Sequence, residues 1–434
     1  MHLESTLRTI PIYGIGSALN DLSLISDRGS EIADPPLQAL PVRPISGYLK
    51  DLPVRAPERP LRIGDVIVFQ LAEEGSFREL EITGGVRVPL STGRAYVGVL
   101  GESLSLSHFT SNLELNRGDR NTFDLISVAG MVSRATSFSR DLELELGCGR
   151  AAKVLLLGAV WSIASNRPLN TLVSVSEHSP RASQFSIPSV IGVFGTATNV
   201  GKTTTSVRII NQLRRQALCG AIKATGTGSH GDTRKHKDAG ALFALDFMRY
   251  GLPSTYGLPD NLLVSVFHRM IDEVEIVLSQ TGFTDAPRER GAAAAKPLIL
   301  MEFGGDLISA GNLAFVTDKS CISRTLAIVV CSDNAVAAIG AVNLLRDNFP
   351  EGRRPEIYLA MPLVNPEAFF QRMRPYLRDG SIAGIFDLNR PDPLPTEEHL
   401  VSYAVSGGAI CSVSDLCDGL SALASEFRDD PKPA

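Results

Sequence analysis

The segment from Gly195 to Thr204, with the sequence GTATNVGKTT, combines the residue types that hold the phosphates of a nucleotide. Its glycines permit tight turns, so successive backbone N–H groups can point toward one anion. Lys202 can reach the terminal phosphates, and the Thr203 hydroxyl can bind Mg²⁺. The residues expected to contact the nucleotide in this loop are Gly195, Thr196, Thr198, Asn199, Val200, Gly201, Lys202, Thr203 and Thr204. The loop predicts a site for a nucleoside triphosphate and Mg²⁺, and the absence of a guanine-selecting Asn-Lys-x-Asp sequence favours ATP.

The spacing of this loop differs from the usual phosphate-binding pattern. Thr196 stands where that pattern has its first glycine, and the glycine lies one residue earlier. An apolar run, Val190 to Phe194, precedes the loop, and apolar residues recur at helical spacing after it. This order predicts a strand, the loop and then a helix whose N-terminus lies under the phosphates. The alternative is a glycine-bounded turn with an incidental lysine, and the order of elements favours the phosphate site.

A second candidate lies at the end of the apolar run KPLILMEFGGD, Lys296 to Asp306. Glu302 follows a buried type of strand and precedes two glycines, so its carboxylate can hold Mg²⁺ against the phosphates. An acidic residue at a strand end is also common by chance. The phosphate-binding loop elsewhere in the chain favours the metal-binding interpretation of Glu302.

The segment from Ala221 to Phe247 supplies the remaining candidates. Lys223 lies near the end of a predicted strand, and Lys235 and Lys237 add cations that would attract an anionic or amino-acid-like substrate. Asp238 is a candidate second metal ligand, or alternatively an acidic residue in the first turn of a helix. The histidines at positions 230 and 236 are interpreted as loop residues, because their spacing fits no helical pair of metal ligands.

Two kinds of hydropathy pattern divide the chain. Residues 1–175 are strand-rich, with a proline-rich arm of about 60 residues at the start, and predict a β-barrel or sandwich. The predicted strands are Gly64 to Leu71, Glu79 to Thr83, Ala95 to Gly101, Leu142 to Gly147 and Lys153 to Val160. Residues 176–189 are polar and predict a linker. In residues 190–434, apolar runs alternate with helical stretches such as Asn334 to Arg346, which predicts an α/β domain with a mainly parallel sheet.

The composition restricts the classes of function. The 434 residues are 44% hydrophobic and 21% charged, as in an ordinary globular protein, and a net charge of −5 argues against nucleic-acid binding. We find no signal peptide and no apolar run long enough to span a membrane, so we expect a cytoplasmic protein without a membrane partner. The six cysteines form no CxxC pair, and we expect them to be buried free thiols.

Several motifs together resemble dethiobiotin synthetase and its relatives, such as the synthetase half of cobyrinate a,c-diamide synthases. The family's GTDTxVGKT resembles GTATNVGKT, and its VEGAGG strand resembles MEFGGD with Glu302 as the metal carboxylate. KATGTG is similar to the family's KPVxSG, so the resemblance implies that Lys223 and Thr227 bind substrate. It also implies that Asp238 is a metal ligand and that Asn365 contacts adenine. The resemblance covers about residues 190 to 390 and implies a doubly wound P-loop NTPase fold, often a homodimer.

The resemblance implies an ADP-forming ligase that activates a small carboxylate or carbamate by γ-phosphoryl transfer. Lys202, Lys223 and Thr227 would carry catalysis, and Thr203, Asp238 and Glu302 would hold Mg²⁺. Ala197 and Asn199 replace loop residues of the family, and the proline after the substrate lysine is missing, so the substrate stays open. The alternatives are a small-molecule kinase, an acyltransferase that uses another phosphate-bearing donor, and a nucleotide-dependent switch or metallochaperone.

Overall fold

The computed structural model describes residues 54–57, 59–82, 86–113, 121–162, 167–174, 189–214, 217–280, 297–352, 354–389 and 410–411. These residues form a mixed α/β protein with two compact units. The first unit contains the described residues up to 174 together with Gly226–Gly231 and Phe247–Gly257, and the second contains the other described residues. The predicted linker, apart from Ser189, and most of the proline-rich arm lie outside the described residues.

The first unit is built almost entirely of short strands. Its elements are β1 (Val54–Arg55), β2 (Val66–Glu73), β3 (Glu79–Ile82), β4 (Val86–Pro89), β5 (Ala95–Leu100), β6 (Ser103–Leu104), β7 (Phe109–Ser111), β8 (Thr122–Leu125), β9 (Met131–Ser133), β10 (Ala135–Phe138), α1 (Arg140–Leu146), β11 (Ala152–Ser162) and β12 (Arg167–Pro168). Strands β11, β2, β5, β9 and β8 pair in that order, and β8 pairs again with β11. This pairing closes a five-stranded barrel, which confirms the β-barrel alternative.

The barrel is filled by apolar side chains. Phe69 and Tyr96 stack inside it with ring centroids 5.8 Å apart, and both are fully buried. Four of the five strands predicted for this region are present within a few residues of their predicted bounds. The burial of their apolar residues is the main source of their stability.

The fifth predicted strand, Leu142 to Gly147, is wrong. The alternation of leucine and glutamate in this segment has the period of a strand, but the residues form helix α1. The Ser139 side chain accepts a hydrogen bond from the backbone N–H of Leu142, and Gly147 ends the helix with a φ of 66°. The helix buries Leu142 and leaves Leu144 75% exposed, whereas a strand would turn both side chains to one face. The caps decide the structure here.

The second unit is an α/β unit with one large sheet. Its elements are β13 (Val190–Gly195), α2 (Lys202–Leu213), β14 (Cys219–Lys223), α3 (Gly231–Asp238), β15 (Phe243–Asp246), α4 (Asp260–Gln280), β16 (Leu298–Glu302), α5 (Asn312–Thr317), α6 (Lys319–Ser323), β17 (Thr325–Cys331), α7 (Ala335–Asn348), β18 (Glu356–Met361), α8 (Pro366–Arg378), β19 (Gly384–Asp387) and β20 (Ile410–Cys411). The strand order is β15-β14-β16-β13-β17-β18-β19-β20, and all pairs are parallel. The predicted parallel sheet is confirmed.

Helices cover both faces of this sheet. On one face, Ile191 and Val193 of β13 belong to the same core as Ile209 and Ile210 of α2. Successive residues of a strand point to opposite faces, so Phe194 points to the other face. There it stacks on Phe303, which follows β16, at a centroid distance of 4.0 Å, and it also packs against Phe315 of α5. Within the described residues, no helix combines the length and apolar character needed to cross a bilayer.

Candidate functional site

The central strands of the second unit bring the predicted site residues to one edge of the sheet. Strand β13 leads into the Gly195 to Thr204 loop, β14 ends at Lys223 and β16 ends at Glu302. Strand β16 lies between the other two, with Lys223 paired to Glu302 in register. Strands β14, β15 and β16 lie on one side of β13, and the later strands β17 to β20 lie on the other side. In parallel sheets, ligands bind at the carboxyl ends of the strands near such a change of side.

The loop after β13 is folded tightly around the Lys202 side chain. Lys202 Nζ donates a hydrogen bond to the carbonyl of Ala197 at 2.6 Å. A Cβ atom at Gly195 would lie 2.8 Å from that Nζ and 2.9 Å from the backbone oxygen of Ala197, so a larger residue would displace the Lys202 side chain and the loop. Asn199 and Gly201 both have left-handed backbone conformations, with φ of 62° and 90°. Helix α2 begins with Gly201 as its N-cap, which provides no side chain to cap the first N–H groups.

Lys202 is a buried cation in this loop. Burial, followed by the neighbouring charge of Lys223, lowers the pKa of Lys202 to about 8. Two ammonium groups close to each other in a buried region favour an anion between or beside them. The loop therefore has the backbone conformation, the helix N-terminus and the positive charge that phosphate binding needs.

Glu302 is the centre of a buried polar network and is fully buried. Its Oε1 accepts hydrogen bonds from the Thr203 hydroxyl at 2.8 Å and from Lys223 Nζ at 2.7 Å. Its Oε2 lies 2.8 Å from His236 Nε2. The network therefore joins the Gly195 to Thr204 loop, strand β14, helix α3 and strand β16.

Asp232 adds a second carboxylate to this network. Lys223 Nζ lies 2.6 Å from Asp232 Oδ2, and the Thr203 hydroxyl lies 3.2 Å from Asp232 Oδ1. Thr203 thus contacts two carboxylates at once. A hydroxyl and two carboxylates form the oxygen donor set that Mg²⁺ prefers.

The charges of the network stabilise each other. Burial alone would raise the pKa of Glu302, but the Lys223 ammonium and then the hydrogen bond from His236 outweigh it and hold this pKa well below its usual value. Burial alone would lower the pKa of Lys223, but the charges of Glu302 and Asp232 raise it above its usual value. Each charge of this pair therefore favours the ionised form of the other.

Four of the predicted residues meet in this arrangement: Lys202, Thr203, Lys223 and Glu302. Asp238, the predicted second metal ligand, makes no hydrogen bond or ion pair with Thr203 or Glu302 among the described residues. It is exposed at the end of helix α3 rather than ahead of a helix. The carboxylate of helix α3 that contacts Thr203 and Lys223 is Asp232.

The reason for the difference is the position of helix α3. Gly240, with a φ of 107°, follows the helix, and residues Phe243–Asp246 form β15 next to β14. The segment after Asp238 is therefore a turn and a strand, and the polar segment before it is the helix. His236, interpreted from the sequence as a loop residue, is a fully buried helical residue beside Glu302. Its Nδ1 is buried without a hydrogen-bond partner.

Two further predicted residues have structural contacts of their own. Thr227 belongs to the first unit, where it forms an isolated antiparallel bridge with Ser254 and lies 3.4 Å from the Ser103 hydroxyl. Asn365 is the exposed N-cap of helix α8, and its side chain accepts a hydrogen bond from the backbone N–H of Ala368 at 3.1 Å. It follows β18 at the same edge of the sheet as the phosphate-binding loop. Its expected contact with adenine stays a prediction.

Thr225 is not among the residues predicted from the sequence, but it makes two hydrogen bonds at the edge of the sheet. The Thr225 hydroxyl donates to Asn312 Oδ1 at 2.6 Å and accepts a hydrogen bond from the backbone N–H of Gly304 at 2.9 Å. Thr225 is fully buried. These bonds hold the turn after Glu302 against the segment that follows β14.

An open cavity of about 630 Å³ adjoins the network along helix α2. Its lining residues are Thr203, Thr204, Val207, Asn211, Arg214, Lys235, Asp238 and Ala239. Thr203 is the residue shared by the cavity and the carboxylate network. A ligand in this cavity would therefore lie beside the predicted metal site, with cations from Arg214 and Lys235 on its walls.

Comparison with known proteins does not assign the chain to a family. A scan of the sequence against models of protein families finds no match. A search among curated proteins finds no match either. The residues and geometry of the second unit are therefore the basis for a functional conclusion.

Proposed function

We propose that the second unit binds Mg·ATP at the Gly195 to Thr204 loop and is an ATP-dependent, ADP-forming ligase. It would activate a small carboxylate or carbamate by transfer of the γ-phosphoryl group. One observation carries the proposal: a hydroxyl, an ammonium and two carboxylates meet beside a buried lysine at one edge of the sheet. These residues are Thr203, Lys223, Asp232, Glu302 and Lys202. The similarity of the loop and of the β16 end to dethiobiotin synthetases supports the same class of reaction.

The residues of the loop fit the triphosphate. The backbone N–H groups at the start of α2 and the Lys202 ammonium would bind the β- and γ-phosphates, because both are fixed before the ligand arrives. A side chain at Gly195 would meet Lys202 and the backbone oxygen of Ala197, so glycine at this position leaves the room that the loop needs. Asn365 would contact the adenine.

The oxygen donors fit Mg²⁺. Thr203, Asp232 and Glu302 are the residues that would hold the ion. When bound, Mg²⁺ neutralises phosphate charge and so supports transfer of the γ-phosphoryl group. Phosphoryl transfer depends mainly on such positioning and electrostatic stabilisation.

Lys223 is placed to act on the substrate. Its ammonium lies between two carboxylates and is 9% exposed, so its orientation is fixed. A carboxylate or carbamate oxygen of the substrate would attack the γ-phosphorus, and the bond from that phosphorus to the β–γ bridging oxygen would break to release ADP. An amine nucleophile would then displace phosphate from the mixed anhydride. Lys223 would stabilise the negative charge on the transferring group.

The test is to incubate the full chain with Mg·ATP and a panel of amino acids and diamines, with and without bicarbonate, and to follow the products by ³¹P NMR. We expect ADP and free phosphate in the presence of one substrate class, and loss of this turnover in Lys202→Ala. Arg372→Ala, which removes an exposed cation of α8 outside the candidate site, is the control. A stable phosphorylated product would show a kinase, and AMP with pyrophosphate would contradict γ-phosphoryl transfer.

A further inference from the structure

A second cluster of ionisable side chains lies in the α/β unit outside the network of Glu302. It contains His268 of helix α4, Asp318 just before helix α6 and Cys321 within α6. One nitrogen, one oxygen and one sulfur atom of these residues lie within 4.8 Å of one another. His268 and Cys321 are buried, and Asp318 is partly exposed.

The distances between the side chains suit a small ion. His268 Nε2 lies 3.3 Å from Asp318 Oδ1. Cys321 Sγ lies 3.9 Å from each ring nitrogen of His268. Metal bonds of about 2.0–2.3 Å in a tetrahedron separate neighbouring ligand atoms by about 3.3–3.6 Å. The N···O distance is in this range, and the S···N distances exceed it by a few tenths of an ångström.

The backbone places Asp318 and Cys321 on the same side. Asp318 is the N-cap of α6, and its Oδ1 accepts a hydrogen bond from the backbone N–H of Cys321 at 2.8 Å. The bond fixes the positions of the carboxylate and of the Cys321 backbone. His268 lies near the middle of a 21-residue helix and is therefore fixed by its own element. The three groups are arranged before any ion binds.

The neighbouring arginine is engaged by other carboxylates. His268, Asp272 and Glu275 share one face of α4, because they follow each other by four and three residues. Arg324 NH1 and NH2 lie 2.7 Å from Asp272 and Glu275, respectively. The charge of Arg324 is therefore compensated by two buried carboxylates, which reduces its repulsion of a bound cation.

We propose that His268, Asp318 and Cys321 bind a zinc-type divalent ion that joins helix α4 to the start of helix α6. The mixture of imidazole, thiolate and carboxylate favours a borderline-soft ion such as Zn²⁺ over Mg²⁺ or Ca²⁺, which prefer oxygen ligands. Three protein ligands leave a fourth position for water or another small ligand. The Asp318 side chain, 26% exposed, marks the side from which the ion enters.

The test is a titration of the full-length chain, first treated with a chelator and reductant, with Co²⁺ as a spectroscopic probe for Zn²⁺. We expect one equivalent of Co²⁺ to produce a thiolate-to-cobalt charge-transfer band that added Zn²⁺ removes. Cys321→Ser should lose this band. Cys219→Ser should keep it, since the buried Cys219 thiol of β14 contacts the carbonyl of Gly220 and lies outside the cluster.

A second pair of variants keeps the test decisive if Cys321→Ser does not fold. His268→Gln and Asp318→Asn retain the size of the side chains and should each weaken Co²⁺ binding at least about tenfold, as expected for the loss of a ligand. Circular dichroism provides the check of folding. Absence of the band in the wild-type chain would overturn the proposal, as would a band that persists in Cys321→Ser or unchanged affinity in both size-matched variants.

Discussion

The two units each contain a fully buried carboxylate, Asp65 in the barrel unit and Glu302 in the α/β unit, and the two have different partners. Arg59 binds both oxygens of Asp65, with N···O distances of 2.8 and 2.9 Å. The backbone N–H of Arg62 and the side-chain amide of Asn170 complete the contacts, at 2.9 Å each. These partners tie the segment before β2 to the segment after β12, so Asp65 has a structural role.

Glu302 contacts Thr203, Lys223 and His236, which come from three different elements. Each of these side chains can also bind a ligand, a metal ion or a proton. Both carboxylates are therefore buried and saturated with hydrogen bonds, and these two properties do not separate the structural role of Asp65 from the functional role that we propose for Glu302. The distinction lies in the chemistry of the partners and in their place at the carboxyl ends of parallel strands.

The largest effect is expected for Glu302→Gln. The variant removes the negative charge that pairs with Lys223 and, on our proposal, binds Mg²⁺, so kcat should fall about 10³-fold. The measurement is ADP release with the substrate found in the product screen. Turnover within about threefold of the wild type would show that Glu302 is a structural carboxylate like Asp65, because loss of a metal ligand costs far more.

The matched substitution in the barrel is Asp65→Asn. It removes one charge-assisted acceptor from a buried pair and should lower the free energy of unfolding by about 2–3 kcal/mol. ATP turnover of the folded protein should not change, since Asp65 belongs to the barrel unit and has no predicted contact with ligand. Urea unfolding and initial rates provide the two measurements. If Asp65→Asn lowered the kcat of the folded protein about as much as Glu302→Gln does, the two carboxylates would not differ in function.

The next effect distinguishes two aspartates of helix α3. Asp232→Asn should reduce kcat by about 10²-fold, because Asp232 contacts both Thr203 and Lys223. Asp238→Asn should leave kcat nearly unchanged, because Asp238 is exposed at the end of the helix. Steady-state kinetics of the two variants side by side provides the measurement. The reverse result would restore Asp238 as the metal ligand implied by the sequence.

A smaller effect is expected from pH. Nucleotide phosphates bind the protonated form of Lys202, and burial followed by the charge of Lys223 lowers its pKa to about 8. The Kd for ATP should therefore rise with pH above about 8, by up to about tenfold per pH unit. Between pH about 8 and pH 10.5, Lys202 binds fewer protons in the folded protein than in the unfolded chain, because folding lowers its pKa. Its contribution to the free energy of unfolding therefore rises with pH in this range.

Calorimetric titrations with ATP at pH 7, 8 and 9 measure the Kd, and Lys202→Arg is the control. A guanidinium keeps its charge over this range, so its Kd should depend less on pH. An equal dependence in both proteins would assign the titration to another group.

The sequence is sufficient to predict the parts of the site that depend on local pattern and strand order. Lys202 and Thr203 follow from the loop after β13, and Glu302 and Lys223 follow from the rule that parallel strands end at the same edge. Their contacts of 2.7 and 2.8 Å confirm this convergence. The chemistry assigned to them stays a proposal.

Helix α3 was not predicted because its sequence, GDTRKHKD, contains no apolar residue that would reveal a helical period. Its buried residues are Thr233 and His236, and their partners are the carboxylates of Asp246, 13 residues after Thr233, and of Glu302, 66 residues after His236. Polar tertiary contacts stabilise this helix, and such contacts cannot be predicted from the hydropathy pattern of the sequence. In helix α1 an apolar pattern is present, but its period of two predicts a strand although the segment is a capped helix.

Isothermal titration of the full chain with Mg·ATP shows whether the loop around Lys202 binds the nucleotide. We expect one site per chain in the wild type and in Arg372→Ala, which removes an exposed cation of α8. Affinity should be at least about 10²-fold weaker in Lys202→Ala, because a buried cation that pairs with phosphate is lost. No binding by the wild-type chain, or equal affinity in Lys202→Ala, would show that the loop is not the ATP site.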